Sequence, residues 1–206
     1  ASRIEFVRPL HWAVVLFGEE VIETEILGVR SSNCTRGHRF HNNQNLPLVQ
    51  PSEYESVLRD QGRVIASFDK RRDLIRDQVE QQARELGAVA IIDEALLEEV
   101  TSLVEFPVAL TGSFDEEFLA VPQEALILAM KSHQKCFHLA DAEGQLLPKF
   151  VAISNIESKD PQQVITGNER VIRPRLADAQ FFFDTDREKP LITKKESLGR
   201  LIFQDK

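Results

Sequence analysis

This sequence predicts an α+β fold, with mixed, largely antiparallel sheets and helices packed against them. Segments of strand character and of helix character both occur, but they do not alternate as in a βαβ architecture. Strand-like segments on both sides of glycine-containing turns, at Gly18 and Gly144, favour antiparallel pairing. At 206 residues, with 42% hydrophobic and 28% charged residues, the chain can bury a sizeable core.

The first third of the chain predicts strands followed by a short helix. Residues 12–29 (WAVVLFGEEVIETEILGV) predict two strands joined by a tight glycine-containing turn. Ser52 and Glu55 have the spacing of a capping box, and they predict a short helix that ends before Gly62. Residues 63–67 (RVIAS) predict a short strand.

Two amphipathic helices are predicted next. The first spans 69–86 and stops at Gly87, and its apolar residues recur at helical spacing: Ile75, Val79, Ala83 and Leu86. The second follows Asp93, and its apolar stripe contains Leu96, Val100 and Leu103.

A strand, a helix and a hairpin follow. Residues 107–114 (PVALTGSF) predict the strand, and Pro122 opens the helix. Residues 135–141 and 146–155 predict the hairpin, which turns at Glu143-Gly144.

Residues 154–186 (SNIESKDPQQVITGNERVIRPRLADAQFFFDTD) combine arginines with an apolar run. Asp160-Pro161 starts a helix as N-cap and first helical residue. Pro174 lacks an N–H and disfavours helix at the preceding residue, so the pattern predicts that one helix ends there and another begins. The polar candidates around this bend are Asn168, Arg170, Arg173 and Arg175.

Arginine binds phosphate in a bidentate manner, so these side chains predict a phosphate-sized polar site. The run Phe181–Phe183 covers most directions of a helix and predicts a core cluster beneath that site. The structural alternative is that the arginines form internal ion pairs with Glu169 and Asp178.

A second basic cluster lies in RGHRF. Its side chains Arg36, His38 and Arg39 could contact an RNA backbone. The alternative is that the arginines pair with glutamates and that Phe40 lies in the core.

The net charge of −8 argues against nucleic-acid binding when taken alone. The argument is weaker for the second part of the chain, because the acidic residues are concentrated in the first part. Residues 1–130 carry 12 basic and 22 acidic residues, whereas residues 131–175 carry 7 basic and 5 acidic residues. The second segment can therefore present a basic face, to which Lys131 and Lys135 would contribute.

The sequence gives little support for a metal site or for a catalytic cysteine. Cys34, His38 and His41 have a C-x3-H-x2-H spacing, but a closed zinc site needs four ligands, and Cys136 and His138 would complete it only by accident of folding. No glycine-rich elbow accompanies a Cys136 nucleophile. No Walker loop or GxGxxG motif is present. We expect no catalytic residue, no metal and no cofactor bound by this chain.

Five blocks together resemble the beta subunit of the bacterial two-subunit glycyl-tRNA synthetase. They are FVRPLHW (6–12), RGHRF (36–40), LLEEVTSLVEFPV (96–108), FLAVPQEAL (118–126) and the stretch 154–186. The resemblance implies the middle portion of a longer chain that precedes a helical HD-type domain and an anticodon-binding domain. It implies an α+β domain at 1–188 and a tail at 189–206, with a fold similar to the editing-type domain of the phenylalanyl-tRNA synthetase beta chain.

The same resemblance implies a function. The complete enzyme attaches glycine to tRNA(Gly) at the expense of ATP, with ATP and Mg²⁺ bound by the alpha subunit and two chains of each kind assembled. This chain would contribute to tRNA recognition, to assembly with the alpha subunit and the rest of the beta chain, or to both. The alternatives are an editing hydrolase for mischarged tRNA and a pure scaffold for the alpha subunit. Editing is disfavoured because a pocket for glycine excludes larger amino acids sterically.

Location follows from composition. No apolar run reaches transmembrane length, no signal peptide is recognisable, and two cysteines do not form a disulfide framework. We expect a cytoplasmic protein that makes no membrane contact.

Overall fold

The computed structural model describes residues 10–188 and 190–195, and it confirms the α+β class with largely antiparallel pairing. The strands are β1 (Ala13–Val14), β2 (Leu16–Phe17), β3 (Glu20–Val21), β4 (Glu25–Ile26), β5 (Val29–Ser32), β6 (Cys34–Arg36), β7 (Asn45–Pro47), β8 (Val89–Ala90), β9 (Val108–Ser113), β10 (Phe137–Ala140) and β11 (Leu146–Ser154). The helices are α1 (Tyr54–Val57), α2 (Phe68–Glu85), α3 (Glu94–Leu103), α4 (Gln123–Gln134) and α5 (Pro161–Arg187). None of the described helices is both long and apolar enough to cross a membrane.

The chain divides into two compact units, each built from segments that are distant in the sequence. The described parts of the first unit are 10–78, 97–109 and 153–159, and those of the second are 79–96, 110–152, 160–188 and 190–195. The domain limits inferred from the sequence, 1–188 and 189–206, stay a prediction, and most of the second range lies outside the described residues.

The first unit contains small hairpins in place of the two predicted strands. Strands β2 and β3 pair antiparallel around Gly18, as predicted, and β4 and β5 form a second hairpin. Strand β1 pairs parallel with β5, and β6 pairs antiparallel with β7.

Two local predictions in this unit are wrong. Residues 63–67 form no strand, because the Arg71 guanidinium takes the carbonyls of Ile65 and Ala66 that a neighbouring strand would need. The capping box is absent from the short helix, which begins with a 3₁₀ turn at Pro51–Glu53 and has no side-chain cap. The Glu53 carboxylate instead accepts from the Val49 N–H over 3.2 Å.

The predicted helices α2 and α3 are present, and Gly87, with φ of +65°, follows α2. Asp93 caps α3 by accepting from the Leu96 N–H over 2.9 Å. The stripe on α3 differs from the prediction, since Leu103 is exposed and its neighbour Val104 is buried.

The second unit contains a sheet of order β8–β10–β11–β9. Strands β10 and β11 form the predicted hairpin, with Phe137 opposite Val151. Gly112 of β9 lies against the buried ring of Phe150, where a Cβ would come within 2.9 Å of Cε2. The core of this unit joins the sheet to α4 and α5 through residues that include Leu126, Met130, Phe150, Ile172 and Leu176.

Helix α5 is one continuous helix, so the predicted break at Pro174 is wrong. Asp160 caps its start, as predicted, by accepting from the Gln163 N–H over 3.3 Å. Ile172 and Leu176 are buried on both sides of the proline. This packing against the core holds the helix together although Pro174 removes one intrahelical hydrogen bond.

The predicted core role of the phenylalanine run is also wrong. Phe181 and Phe182 are each 64% exposed, and only Phe183 packs against the core. One face of a helix can be buried against one core, so a run of three cannot all point inward.

Candidate nucleic-acid interface

The loop after β6 is fixed against the backbone near Gly62. A Cβ at Gly37 would lie within 2.9 Å of the Gly62 Cα, so only glycine allows this approach. The His38 N–H donates to the Gly62 carbonyl over 2.7 Å, and the Asn42 N–H donates to the His38 carbonyl over 2.8 Å. Arg36 thus precedes and Arg39 follows the two anchored residues, Gly37 and His38.

Arg36 and Arg39 are both exposed at this loop. The Arg36 guanidinium carbon lies 5.3 Å from the centre of the Trp12 ring, within the range of a cation–π contact. Neither arginine has a carboxylate partner among the described residues. The predicted alternative of pairing with glutamates is therefore absent from that part of the chain.

Phe40 lies outside the core, contrary to the structural alternative, with 74% of its surface exposed. Its N–H donates to Nδ1 of His38 over 3.2 Å. This local bond turns the backbone at Phe40 and leaves an apolar ring in solvent beside Arg39.

His38 is the buried residue of the loop, only 1% exposed, and its ring centre lies 4.8 Å from that of His41. Because Nδ1 accepts a hydrogen bond, the neutral ring carries its proton on Nε2. Nε2 is buried and has no hydrogen-bond partner among the described residues. A buried polar group left in this state costs about 1–3 kcal/mol.

These side chains line an open groove of about 590 Å³ in the first unit, called here the RGHRF groove. Its charged lining consists of Arg36, Arg39 and Glu105. Its apolar and aromatic lining includes Trp12, Phe40 and Leu103, and its polar lining includes His11, His38, Asn43, Ser102 and Asn155.

His41 lies behind His38 as a neutral acceptor. Burial lowers the pKa of His41, and the nearby His38 and Arg63 lower it further, while Glu157 opposes them. Its Nε2 accepts from the Glu157 N–H over 3.0 Å. Arg63 pairs with the Glu157 carboxylate. Glu157 therefore contacts His41 through its backbone N–H and Arg63 through its side chain.

The arginines of α5 are exposed but do not form the predicted cluster. At 3.6 residues per turn, Arg173 and Arg175 project about 200° apart, whereas Arg170 and Arg173 share a side. Arg173 pairs with Asp115 over 2.9 Å, which is a different partner from the predicted Glu169 or Asp178.

Arg170 and Arg175 have no ion pair within the part of the chain that the structure describes. Arg170 and Arg173 line an open groove of about 540 Å³ with Ser113, Asp115 and Glu169. The Glu169 carboxylate accepts from the Ser113 N–H over 2.9 Å and from its hydroxyl over 3.0 Å. This groove is therefore balanced in charge rather than strongly basic.

The remaining candidate residues are committed to contacts within the second unit. The Asn168 amide donates to the Val164 carbonyl over 2.9 Å. Lys131 pairs with Asp93, and this lysine holds the pKa of the Asp93 carboxyl below its ordinary value. Lys135 is half-buried and ends α4 with φ of +55°.

Two of the residues considered for thiol or metal chemistry, Cys136 and His138, are buried or half-buried. Cys136 is buried in the core of the second unit, and burial raises its pKa to about 12. Burial also lowers the pKa of His138. Among the described residues, no three His, Cys, Asp or Glu side chains are grouped to hold a metal ion.

Sequence reasoning missed the contribution of Trp12 and Asn155 to the RGHRF groove. The chain contains a single tryptophan, which is a signal that could have drawn attention to Trp12. Asn155 lies far along the chain, and nothing in its local pattern indicates that its Oδ1 accepts from the Glu105 N–H over 2.6 Å.

Comparison with known proteins gives one consistent result. The family model described as glycyl-tRNA synthetase beta subunit matches residues 1–206. The chain is 55% identical over 204 residues to a glycine–tRNA ligase beta subunit of Hahella chejuensis, covering 99% of this chain and 30% of the relative. It is 53% identical over 206 residues to that of Psychromonas ingrahamii, with 100% and 30% covered. The chain thus spans about 30% of the length of these relatives.

Proposed function

The chain belongs to the glycyl-tRNA synthetase beta-subunit family, and from this premise we propose that it contacts tRNA(Gly) without catalysing a reaction itself. The observation that carries the proposal is that four of the five candidate arginines, Arg36, Arg39, Arg170 and Arg175, are exposed and have no carboxylate partner among the described residues. The chain has 33 acidic residues against 25 basic ones, so carboxylates are plentiful. Guanidiniums left unpaired in an acidic chain are available to phosphates.

The complete enzyme, in this proposal, attaches glycine to tRNA at the expense of ATP. We assign binding of ATP and Mg²⁺ to the alpha subunit. This chain has neither a glycine-rich phosphate loop in its sequence nor a group of ligating side chains in its described residues. The alpha subunit and the rest of the beta chain are the proposed protein partners, in the cytoplasm.

The test is tRNA(Gly) binding measured over a range of salt concentrations. Each guanidinium that neutralises a phosphate adds a counterion-release contribution, so the double variant Arg36→Gln/Arg39→Gln should reduce the salt slope by about one to two. The double variant Arg170→Gln/Arg175→Gln should act similarly and independently. The candidates Arg173, Asn168, Lys131 and Lys135 are expected to contribute less, because each already makes a polar contact within the chain.

The matched control is Arg59→Gln/Arg84→Gln. Both arginines are exposed but paired, Arg59 with Asp60 and Arg84 with Glu80. The proposal fails if the two test variants bind tRNA with unchanged affinity and salt slope, or if the control reduces both to the same extent.

Assembly is a second candidate function, because the hairpins of the first unit expose apolar side chains. Phe17 is 78% exposed, and Val21, Ile22, Ile26 and Leu27 are also exposed. Such a surface favours a protein partner, for which we propose the alpha subunit.

The double variant Phe17→Asp/Ile26→Asp should abolish co-purification with the alpha subunit while leaving tRNA binding by this chain unchanged. Retained co-purification would exclude this surface from assembly. An editing hydrolase that used Cys136 as its nucleophile is disfavoured, because Cys136 is buried with a raised pKa.

A further inference from the structure

We propose that the RGHRF groove binds an unpaired nucleotide of RNA, with its base stacked on the groove's exposed aromatic side chains. This inference rests on the proposed function and specifies the ligand of one site. Base stacking on aromatic side chains is the usual way in which proteins bind single-stranded RNA.

The aromatic surface is the first observation. Trp12 and Phe40 line the same groove, and the side chains of both are exposed. Arg36 already stacks on Trp12 at 5.3 Å, so a planar cation and an indole ring lie next to each other. A base can stack on the face of the Trp12 indole ring or on the plane of the Arg36 guanidinium.

The charge and hydrogen-bonding groups are the second observation. Two guanidiniums, of Arg36 and Arg39, can bind the phosphates that flank a base. The Asn155 Oδ1 accepts from the N–H groups of Glu105 and Phe106 at 2.6 and 3.1 Å, which leaves its amide N–H groups to donate. The Glu105 carboxylate lines the same groove and can accept from an amino group on a base edge.

The buried donor is the third observation. His38 is 1% exposed and lines the groove, and its Nε2 has no partner among the described residues. An acceptor on the base or its phosphate that reached Nε2–H would satisfy it, after a shift of the side chains that now cover this atom.

A duplex fits these groups poorly. The faces of paired bases are covered by their neighbours in the stack, so a duplex could offer its phosphates, 2′-hydroxyls and base edges but no base face to the aromatic side chains of the groove. The groove volume of about 590 Å³ lies within the range of pockets that hold one small ligand. These features favour one unpaired nucleotide over a helical segment.

The chain's single tryptophan provides a direct readout, because Trp12 lies in the groove. Titration of this chain with a single-stranded RNA hexamer should quench Trp12 fluorescence to saturation. A duplex with the same number of phosphates should bind at least about ten-fold more weakly. The variant Phe40→Ala should weaken hexamer binding about 5- to 100-fold, which is the usual range for removal of one stacking partner.

Phe181→Ala is the matched control, since Phe181 is 64% exposed, similar to the 74% of Phe40, but lies outside the groove. It should leave hexamer binding unchanged. The inference is overturned if the hexamer gives no saturable quenching, if the duplex binds equally well, or if Phe40→Ala and Phe181→Ala behave alike. These results would leave the arginine-dependent binding of whole tRNA intact, so failure here is distinguishable from failure of the proposed function.

Discussion

The two cysteines illustrate how the surroundings of a single residue determine its chemistry. Cys136 lies in the core of the second unit, where burial raises its pKa to about 12, whereas Cys34 is only partly buried. The thiolate is the reactive form of cysteine, so Cys136 is inert at neutral pH for two reasons, access and protonation. The apolar core that keeps the Cys136 thiol protonated also gives this residue its role in packing.

We therefore predict that a thiol reagent modifies Cys34 in the folded chain at pH 8 and modifies Cys136 only after unfolding. The raised pKa of Cys136 also gives a sign for alkaline stability. Its contribution is complete below the ordinary cysteine pKa near 9 and is lost as pH rises toward about 12. Rapid modification of both thiols in the folded chain, counted by mass spectrometry, would contradict the burial of Cys136.

At the scale of elements, helix α5 shows tertiary packing prevailing over local preference. Pro174 lacks the N–H that would bond the Arg170 carbonyl, and its ring disfavours a helical conformation at the residue before it. The helix nevertheless continues from Pro161 to Arg187, with Ile172 and Leu176 buried. The energetic penalty of the proline is thus offset by apolar burial on both sides of it.

This account predicts that Pro174→Ala raises the free energy of unfolding by about 1–2 kcal/mol, because alanine restores the hydrogen bond within a continuous helix. The control is Pro161→Ala. Pro161 occupies the first helical position, where a missing N–H is harmless, so this variant should change stability little. Denaturant titration measures both. A neutral or destabilising Pro174→Ala would indicate a true bend at that residue.

Much of the element order could be predicted from the sequence, and the errors have physical causes. Helical spacing identified α2, and the Asp160-Pro161 pair identified the start of α5, because caps and periodicity act locally. Residues 63–67 have strand composition, but a distant side chain, Arg71, takes their carbonyls. Phe181 and Phe182 are apolar, yet the core has room for only one side of their helix.

The sequence was enough to select candidate residues for the site, but it could not show which groups those residues contact. The sequence identified Arg36 and Arg39, and the structure confirms neither as an RNA ligand, but it leaves both exposed. The pairing of Arg173 with Asp115 joins residues 58 positions apart, which no local pattern could indicate. The unpartnered Nε2 of His38 likewise depends on the fold around it.

At the scale of the whole molecule, the charge of the chain limits how the proposed contact with RNA can form. The chain is acidic overall, with a net charge of −8, so the proposed RNA contact would have to come from local groups rather than from a general attraction. We propose Arg36, Arg39, Arg170 and Arg175 as those groups, because each is exposed and lacks a carboxylate partner among the described residues.

The most direct test of this account is arginine footprinting with phenylglyoxal, with and without tRNA(Gly), read by mass spectrometry. We predict that Arg36, Arg39, Arg170 and Arg175 lose reactivity when tRNA is bound, because phosphates cover their guanidiniums. Arg59 and Arg84, which are exposed and paired with carboxylates, should react equally in both states. Equal modification of the first four arginines with and without tRNA, in a sample where tRNA is shown to be bound, would contradict the claim that this chain contacts tRNA through them.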